Sequence, residues 1–252
     1  MTSAEPVHLS VIIPAYNEQA RLPETLRQVI LYLSAQSYQA EIVIVDDGST
    51  DETASIVSHW PSAETPIRLL NHPGRLNRGK GAAVQLGMLA ARGRYRLFMD
   101  ADNSATLDHV EGFWPAFDRG YDIVIGSRGL PDSRVVVHQP RYKEIAGRIG
   151  NRMIRALAVP GICDTQAGFK LFSERSAEAI FARLTIQRWG FDIEVLAVAR
   201  ALNFRVQELP IVWINASGSK VGLGSYFEVF REVWRVRRNI RSGLYTRTLP
   251  RK

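Results

Sequence analysis

Short apolar segments alternate with longer amphipathic segments through the first half of the chain. The apolar segments lie at residues 8–14, 40–45, 67–70, 95–99 and 121–126, and they have the length of buried strands. Between the first two, apolar side chains recur at helical spacing, and a later stretch from 81 to 91 is a helix rich in alanine. Strands that alternate with helices predict an α/β fold whose sheet is mostly parallel and flanked by helices.

The pattern is looser in the second half of the chain. A helix with basic residues is predicted over 141–157, an irregular polar segment over 164–170, a helix beginning near Trp189, and a last strand within 204–213. A further helix is predicted near 107–117. Residues 225–240 again have apolar side chains at helical spacing. We therefore expect one domain over residues 1–222, followed by a basic amphipathic helix and tail over 223–252.

Polar clusters follow several of the predicted strands directly. They are 14–18, Asp46 with Asp47, Asp100 with Asp102, and Ser127 with Arg128. In open α/β sheets, ligands bind outside the carboxyl ends of the strands. Four clusters at one sheet edge therefore predict a ligand site there.

Asp100 and Asp102 are the acidic pair of this edge. Two carboxylates one residue apart at a strand end can face one hard cation, and Mg²⁺ or Mn²⁺ is commonly held by one or two carboxylates plus the phosphates of a nucleotide. Taken alone, the pair favours the interpretation of an ordinary turn. The neighbouring polar clusters favour the metal site.

Charge and composition narrow the class of partner. The formal net charge of +7 favours acidic partners such as a nucleotide, a nucleic acid or an anionic membrane face, but no nucleic-acid-binding motif accompanies it. The single cysteine, Cys163, excludes an internal disulfide framework. We see neither an apolar run of membrane-spanning length nor a signal peptide, and expect a cytoplasmic protein, in peripheral contact with a membrane. No partner protein is evident.

Residues 74–81 come close to a phosphate-binding P-loop. Lys80 lies where the P-loop lysine would be, but Gly81 replaces the serine or threonine that would bind Mg²⁺. A P-loop ATPase is therefore rejected. A lysine that opens a helix can still help to hold an anion.

Taken together and in order, these motifs resemble family 2 glycosyltransferases of the GT-A fold. The resemblance covers roughly residues 8–222 and includes the segments 11–18, 45–51, 77–81, 100–102 and 126–128. The segments 164–172, 188–192 and 218–220 are similar to dolichyl-phosphate β-glucosyltransferases, with dolichol-phosphate mannose synthases as near relatives.

The resemblance implies roles for individual residues. Asp100 and Asp102 would hold Mn²⁺ or Mg²⁺, with Ala101 packed nearby, while Arg128 and Lys220 would face phosphates and Lys80 would help to hold the donor. The residues implied to bind the base and ribose of the nucleotide are Pro14, Tyr16, Glu18, Val45 and Asp47. Gln166, Lys170, Arg188 and Trp189 are expected in an active-site segment near the acceptor.

The chain differs from the mannose synthases at two positions. Mannose synthases carry a glutamine two positions after the second acid, as a further metal ligand, and here that position is Ser104. They also carry an arginine six residues before the lysine, where this chain has Ile214. The first departure leaves the third metal ligand unassigned, and the second weakens the mannose interpretation.

We therefore predict a metal-dependent inverting glycosyltransferase that moves glucose from UDP-glucose to a polyprenyl phosphate, either dolichyl or undecaprenyl. The alternatives are a GDP-mannose donor, a soluble acceptor, and a non-enzymatic sugar-nucleotide-binding subunit of a membrane complex. A lipid phosphate is already anionic near neutral pH, since its second pKa is about 6, and it needs little help from a base. If the acceptor is a hydroxyl, Asp192 is the candidate base; an acid that merely begins a helix is an equally good interpretation.

The C-terminal helix has two interpretations. From residue 228 onward the chain carries eight Arg or Lys against two Glu, and a basic amphipathic helix can lie at an anionic membrane surface. Alternatively, the helix packs on the domain and its arginines are simply solvated. A polyprenyl-phosphate acceptor favours the membrane.

Overall fold

A seven-stranded sheet forms the centre of the molecule. The computed structural model describes residues 6–61, 65–136, 141–215 and 223–248. The strands of the main sheet are β1 (Leu9–Ala15), β2 (Ala40–Asp46), β3 (Ile67–Asn71), β4 (Tyr95–Met99), β5 (Ile123–Ser127), β7 (Phe169–Ser173) and β8 (Val206–Pro210). Two short strands, β6 (Arg134–Val135) and β9 (Val212–Trp213), pair with each other beside it.

The strand order is β3-β2-β1-β4-β7-β5-β8. Neighbouring strands are parallel except at β7, which runs antiparallel to both β4 and β5. The predicted mostly parallel α/β sheet is thus confirmed, and it contains one inserted strand of the opposite direction.

Helices cover both faces of the sheet. They are α1 (Leu22–Ser34), α2 (Thr53–Ser58), α3 (Lys80–Ala90), α4 (Trp114–Asp118), α5 (Arg141–Leu157), α6 (Glu174–Phe181), α7 (Phe191–Ala201) and α8 (Leu223–Arg241). Short 3₁₀ turns lie at Pro73–Arg75, Leu107–Gly112 and Leu244–Thr246. No helix in the described ranges is both long enough and apolar enough to cross a bilayer.

The two faces of the sheet have separate cores because side chains alternate along each strand. Val11 and Ile13 pack with α1 and the segment around Phe113, whereas Ile12 packs with α3, α6 and α7 on the other face. Most of the buried strand residues are apolar, as expected for a parallel sheet covered on both sides.

The structure corrects the sequence prediction in two places. The helix predicted near 107–117 is a 3₁₀ turn followed by the short helix α4, which begins just before Pro115. The prediction of an irregular segment over 164–170 is correct only for the first part of that range, because β7 begins at Phe169. Lys170 therefore lies in a central strand and not in a loop. This strand was missed because polar residues precede it and a lysine interrupts its short apolar run.

Gly87 lies where α3 packs tightly against the sheet. A Cβ at this residue would lie 2.5 Å from Cγ2 of Ile12 and 2.9 Å from Cγ2 of Val45. Any side chain at this position would therefore push α3 away from β1 and β2. The position of α3 matters for the site because this helix begins at Lys80.

We expect Gly87→Ala to lower the free energy of unfolding by about 1–3 kcal/mol, the usual cost of overpacking a dense core. Urea unfolding would measure it. Gly112→Ala is the matched control, because no atom lies within 4 Å of a Cβ there. An equal change in the two variants would contradict the close approach of α3.

Candidate active site

Residues from each of the polar clusters predicted at the strand ends line one cleft of about 900 Å³. Its carboxylates include Asp100 and Asp102 after β4 and Asp192 in the first turn of α7. Its cationic side chains include Lys80 at the start of α3 and Arg128 after β5. Acids and cations from distant parts of the sequence thus meet at the edge where β1, β4 and β5 end.

Lys80 is ion-paired with the first acid of the cleft. Its Nζ lies 2.6 Å from Oδ1 of Asp100. Burial lowers the pKa of Lys80, but the negative charges of Asp100 and Asp192 outweigh it and raise the pKa above its usual value. Lys80 therefore remains a cation beside the acidic pair.

Asp47 fixes the loop that delivers Lys80. Its two carboxylate oxygens accept hydrogen bonds from the backbone amides of Arg78 and Gly79, each at 2.8 Å. Gly79 has a φ of +101°, which an L side chain would adopt only with strain. The buried carboxylate and the glycine together set the direction in which α3 begins.

Asp192 rests on a fully buried lysine. Nζ of Lys170 lies 2.5 Å from Oδ1 of Asp192 and also donates to the carbonyl of Ala167. Nζ lies 5.2 Å from the ring centroid of Phe98. Burial raises the pKa of Asp192 more than Lys170 and Lys80 lower it. Lys170 thus orients Asp192 from below the cleft, and its own side chain is not exposed.

The acidic pair fits a hard divalent cation. Burial and the adjacent charge of Asp100 raise the pKa of Asp102, so a cation placed between the two would relieve a real electrostatic cost. Ser104 donates its backbone amide to Oδ1 of Asp102 at 3.1 Å and holds that side chain in place. Gly168 packs so closely on the Asp100 carboxylate that a Cβ would overlap it.

The donor set consists of only these two carboxylates. In the part of the chain that the structure describes, no group of three or more His, Cys, Asp or Glu side chains is arranged to hold a metal. Such a site needs further oxygen ligands, and Mg²⁺ commonly takes them from water and substrate phosphates.

Arg128 is held by a carboxylate and an aromatic ring. Its Nε and Nη2 donate to the two oxygens of Asp164 at 2.7 and 2.9 Å, and its backbone amide donates to the same side chain at 3.0 Å. The guanidinium carbon lies 4.7 Å from the ring centroid of Trp213. The pKa of Asp164 is lowered because the attraction of Arg128 outweighs the effect of burial.

The residues expected to bind the nucleotide divide into two groups. Pro14, Tyr16, Glu18 and Asp47 line the cleft, and Glu18 pairs with Arg21, which also lines it. Val45 does not join them, because its side chain is completely buried in the core that α3 covers. Ala101 lines the cleft, and its carbonyl accepts from Thr25 at 2.7 Å.

One side of the cleft is apolar. Its walls include Met153, Ile154 and Leu157 of α5 and Val229, Phe230 and Val233 of α8. Arg188 and Trp189, shortly before α7 in the chain, also line the cleft, and Nε of Arg188 is 3.6 Å from Oε1 of Glu228 of α8. The exposed Gln166 lines the cleft as well. A charged floor and apolar walls suit a ligand with an anionic head and a hydrocarbon tail.

Several site residues escaped the sequence analysis, and one predicted residue is not placed. Lys220 lies outside the described residues. Arg21, Asp164 and Trp213 line the cleft although the sequence analysis assigned no role to their side chains. Asp164 is separated from Arg128 by 36 residues, so their pairing depends on strand order and not on spacing. The carboxylate at the start of a polar, glycine-bearing segment was the one signal available.

Comparisons with known proteins identify the family. The family model described as "Glycosyl transferase family 2" matches residues 10–181. The dolichyl-phosphate beta-glucosyltransferase of Dictyostelium discoideum is 39% identical over 246 residues, which covers 92% of this chain and 74% of that protein. The human protein of the same name is 29% identical over 261 residues and is covered to 79% of its length.

Solved structures agree with the fold. Glucosyl-3-phosphoglycerate synthase from Mycobacterium tuberculosis, crystallised with Mn²⁺, UDP-glucose and phosphoglyceric acid, superposes with a TM-score of 0.61 at 18% identity. The match covers 95% of this chain and 79% of that one. TarS from S. aureus gives a TM-score of 0.57 at 19% identity, over 97% of this chain and 67% of the other.

The fold is therefore that of a GT-A glycosyltransferase, as the sequence predicted. The chain belongs to glycosyl transferase family 2.

The buried Lys170–Asp192 pair gives a stability prediction. We expect Lys170→Met to lower the free energy of unfolding by about 3–5 kcal/mol, because it leaves a buried carboxylate without its partner. The loss should shrink as pH falls. Without Lys170 the pKa of Asp192 rises further in the folded state, so the folded protein binds the proton more tightly than the unfolded chain does.

Urea unfolding at several pH values would test this, with Lys170→Met/Asp192→Leu as the matched variant. The double variant removes both charges and should recover much of the loss. If the single variant is no less stable than the double one at neutral pH, the pair is not the stabilising contact described here.

Proposed function

We propose that this glycosyltransferase moves glucose from UDP-glucose to a polyprenyl phosphate, with inversion at the anomeric carbon and with Mn²⁺ or Mg²⁺ bound. The observation that carries the proposal is the division of one cleft into a charged floor and an apolar side. The floor holds the acids and cations that a nucleoside diphosphate requires, and α5 and α8 supply walls for a hydrocarbon chain.

The names of the relatives support the acceptor and the sugar. Those from Dictyostelium discoideum and human are named dolichyl-phosphate beta-glucosyltransferases. Support for the nucleotide and the metal comes from the Mycobacterium tuberculosis enzyme, which was crystallised with UDP-glucose and Mn²⁺. The exposed ring of Tyr16 and the side chains around Glu18 form the part of the cleft that we assign to the nucleotide.

The reaction needs charge stabilisation more than proton transfer. An oxygen of the acceptor phosphate attacks the anomeric carbon, the bond from that carbon to the diphosphate oxygen breaks, and UDP leaves with the bonding pair. Because the acceptor is an anion, no proton has to be removed from it. A divalent cation held by Asp100 and Asp102 would neutralise charge on the diphosphate.

The residues of the chain divide the remaining tasks. Arg128 holds the acceptor phosphate, since a guanidinium presents paired donors that match phosphate oxygens. Lys80 adds a positive charge beside the diphosphate at the N-terminus of α3, where the helix dipole also favours an anion. Asp192, oriented by Lys170, faces the same space and accepts hydrogen bonds from the hydroxyls of the sugar.

The direct test is a transfer assay. The purified chain would be incubated with Mn²⁺, a panel of UDP- and GDP-sugars and a polyprenyl phosphate, and the lipid products identified by mass spectrometry. We expect a polyprenyl phosphate hexose from UDP-glucose. Transfer from GDP-mannose alone, or to soluble acceptors alone, would contradict the proposal.

Asp102→Asn tests the metal assignment. We expect it to reduce turnover by at least about 100-fold, because an amide has no charge with which to attract the cation that stabilises the leaving group. Binding of Mn²⁺ in the presence of UDP, followed by electron paramagnetic resonance, should weaken in parallel.

Asp108→Asn is the matched control for this variant. Asp108 lies only six residues away, its side chain is 69% exposed, and it does not line the cleft. Neither variant should unfold at a lower temperature than the wild type. Full activity of Asp102→Asn would overturn the assignment.

We also propose that α8 places the enzyme against an anionic membrane. Phe230 and Trp234 are 42% and 51% exposed, and their rings meet edge to face at 6.5 Å. Arg231, Arg235 and Arg238 are exposed on the same helix. Val233 and Val236 are buried, so α8 packs on the domain while its other side remains open to lipid.

Trp234→Ser should weaken binding of the protein to vesicles that contain phosphatidylserine by about tenfold, since an exposed Trp contributes apolar area at an interface. Sedimentation of the protein with the vesicles would measure this binding. Leu31→Ser is the control, because Leu31 is 73% exposed but lies on α1, on the opposite face of the sheet. Equal vesicle binding by Trp234→Ser and the wild type would exclude this side of α8 as the contact.

A further inference from the structure

We propose that Asp164 is a positioning residue that presets Arg128 for the acceptor phosphate. The inference rests on the proposed function to the extent that Arg128 is taken to bind a phosphate. Asp164 lies outside the strand-end clusters. It would act through Arg128 and would not touch the substrate itself.

The contact between the two side chains fixes the plane of the guanidinium. Asp164 accepts from Nε at 2.7 Å and from Nη2 at 2.9 Å, which is a two-point contact and leaves no freedom to rotate about the last bonds of the arginine. A third bond, from the Arg128 amide at 3.0 Å, ties the same carboxylate to the backbone at the end of β5. Trp213 covers one side of the guanidinium.

Asp164 is itself anchored from two directions. Glu208 of β8 accepts from the backbone amides of Cys163 and Asp164 at 2.7 and 2.9 Å. Asn151 of α5 donates to the carbonyl of Cys163 at 2.6 Å and accepts from the hydroxyl of Thr165 at 2.8 Å. The short segment around Asp164 is therefore clamped between the sheet and the helix whose apolar residues line the cleft.

The pairing leaves donors for a ligand. A guanidinium has five N–H groups, and Asp164 uses one on Nε and one on Nη2. The two on Nη1 and the second on Nη2 remain on the edge away from Asp164, and Arg128 lines the cleft. An arginine ordered in advance loses less side-chain entropy when it binds an anion, which favours affinity.

The opposite role is also testable. A carboxylate paired with Arg128 could instead compete with the acceptor phosphate for the guanidinium. A competitor would be removed by Asp164→Asn, and phosphate binding would then become tighter. A positioning residue predicts weaker binding from the same change, so the sign of the effect distinguishes the two roles.

The experiment is a double-mutant cycle on the full chain, with farnesyl phosphate as the probe. Its dissociation constant would be measured by calorimetry for the wild type, Asp164→Asn, Arg128→Met and the double variant. We expect Asp164→Asn to weaken binding about tenfold, and to have no further effect once Arg128 is methionine. In the transfer assay, the same variant should raise the KM for farnesyl phosphate and leave the KM for UDP-glucose unchanged.

Asp122→Asn is the matched control. Asp122 also accepts from a guanidinium, that of Arg175 at 2.8 Å, and from a backbone amide, that of Arg205, but it lies at the other end of β5. It should leave farnesyl phosphate binding at the wild-type value. If Asp164→Asn does not fold, Glu208→Gln takes its place in the cycle. This variant loosens the backbone anchor of Asp164 and leaves the carboxylate of Asp164 charged.

Each outcome separates the inference from the proposed function. Weaker binding that disappears in the Arg128→Met background supports the inference. Unchanged or tighter binding in Asp164→Asn, with a clear loss in Arg128→Met, overturns the inference alone. No binding of farnesyl phosphate by the wild type, or no effect of Arg128→Met, contradicts the proposed role of the cleft and with it the inference.

Discussion

The buried ion pair between Lys170 and Asp192 is the interaction on which the arrangement of the cleft depends. Asp100, Asp102 and Asp192 converge at one sheet edge, and like charges in a partly desolvated site repel one another. Lys170, whose side chain has no exposure to solvent, offsets this repulsion through its ion pair with Asp192. Lys80 offsets it through its ion pair with Asp100. Lys170 can reach this position only because β7 is inserted antiparallel between β4 and β5. The same insertion brings Gly168 against Asp100, so one strand sets the positions of two of the three acids.

The end of the chain is tied to the same framework. Glu194, two residues after Asp192, is completely buried and accepts from the hydroxyl of Tyr245 at 2.8 Å, near the end of the described residues. Glu232 of α8 accepts from the amide of Gly190 at 2.7 Å, at the point where α7 begins. A displacement of α8 would therefore be transmitted to the helix that carries Asp192. If α8 does rest on a lipid surface, the surface and the acid are linked through hydrogen bonds and not only through proximity.

The sequence predicted the sheet, its polar edge and the acidic pair, because these follow from apolar runs and from the residues directly after them. It did not predict β7. Phe169 and Lys170 follow a polar segment, and a buried lysine opposes the hydrophobic pattern by which strands are recognised. The pairing of Arg128 with Asp164 was also out of reach, since it joins positions 36 residues apart whose meeting depends on strand order. Val45 shows the converse: the family resemblance implied that it binds the nucleotide, but its side chain is completely buried in the core.

The cleft combines charged side chains with the apolar side chains of α5 and α8. A charged floor keeps its affinity for phosphates only if water is limited, since an ion pair weakens as the dielectric rises. The apolar residues of α5 and α8 provide that limit on one side, and they would do so more completely with a hydrocarbon chain lying along them. A lipid tail would then have a second effect beyond its own burial: it would strengthen the electrostatic contacts made by its phosphate. A soluble acceptor would leave the apolar walls in water and would lose this gain, which is why the shape of the cleft favours a lipid phosphate over a free one.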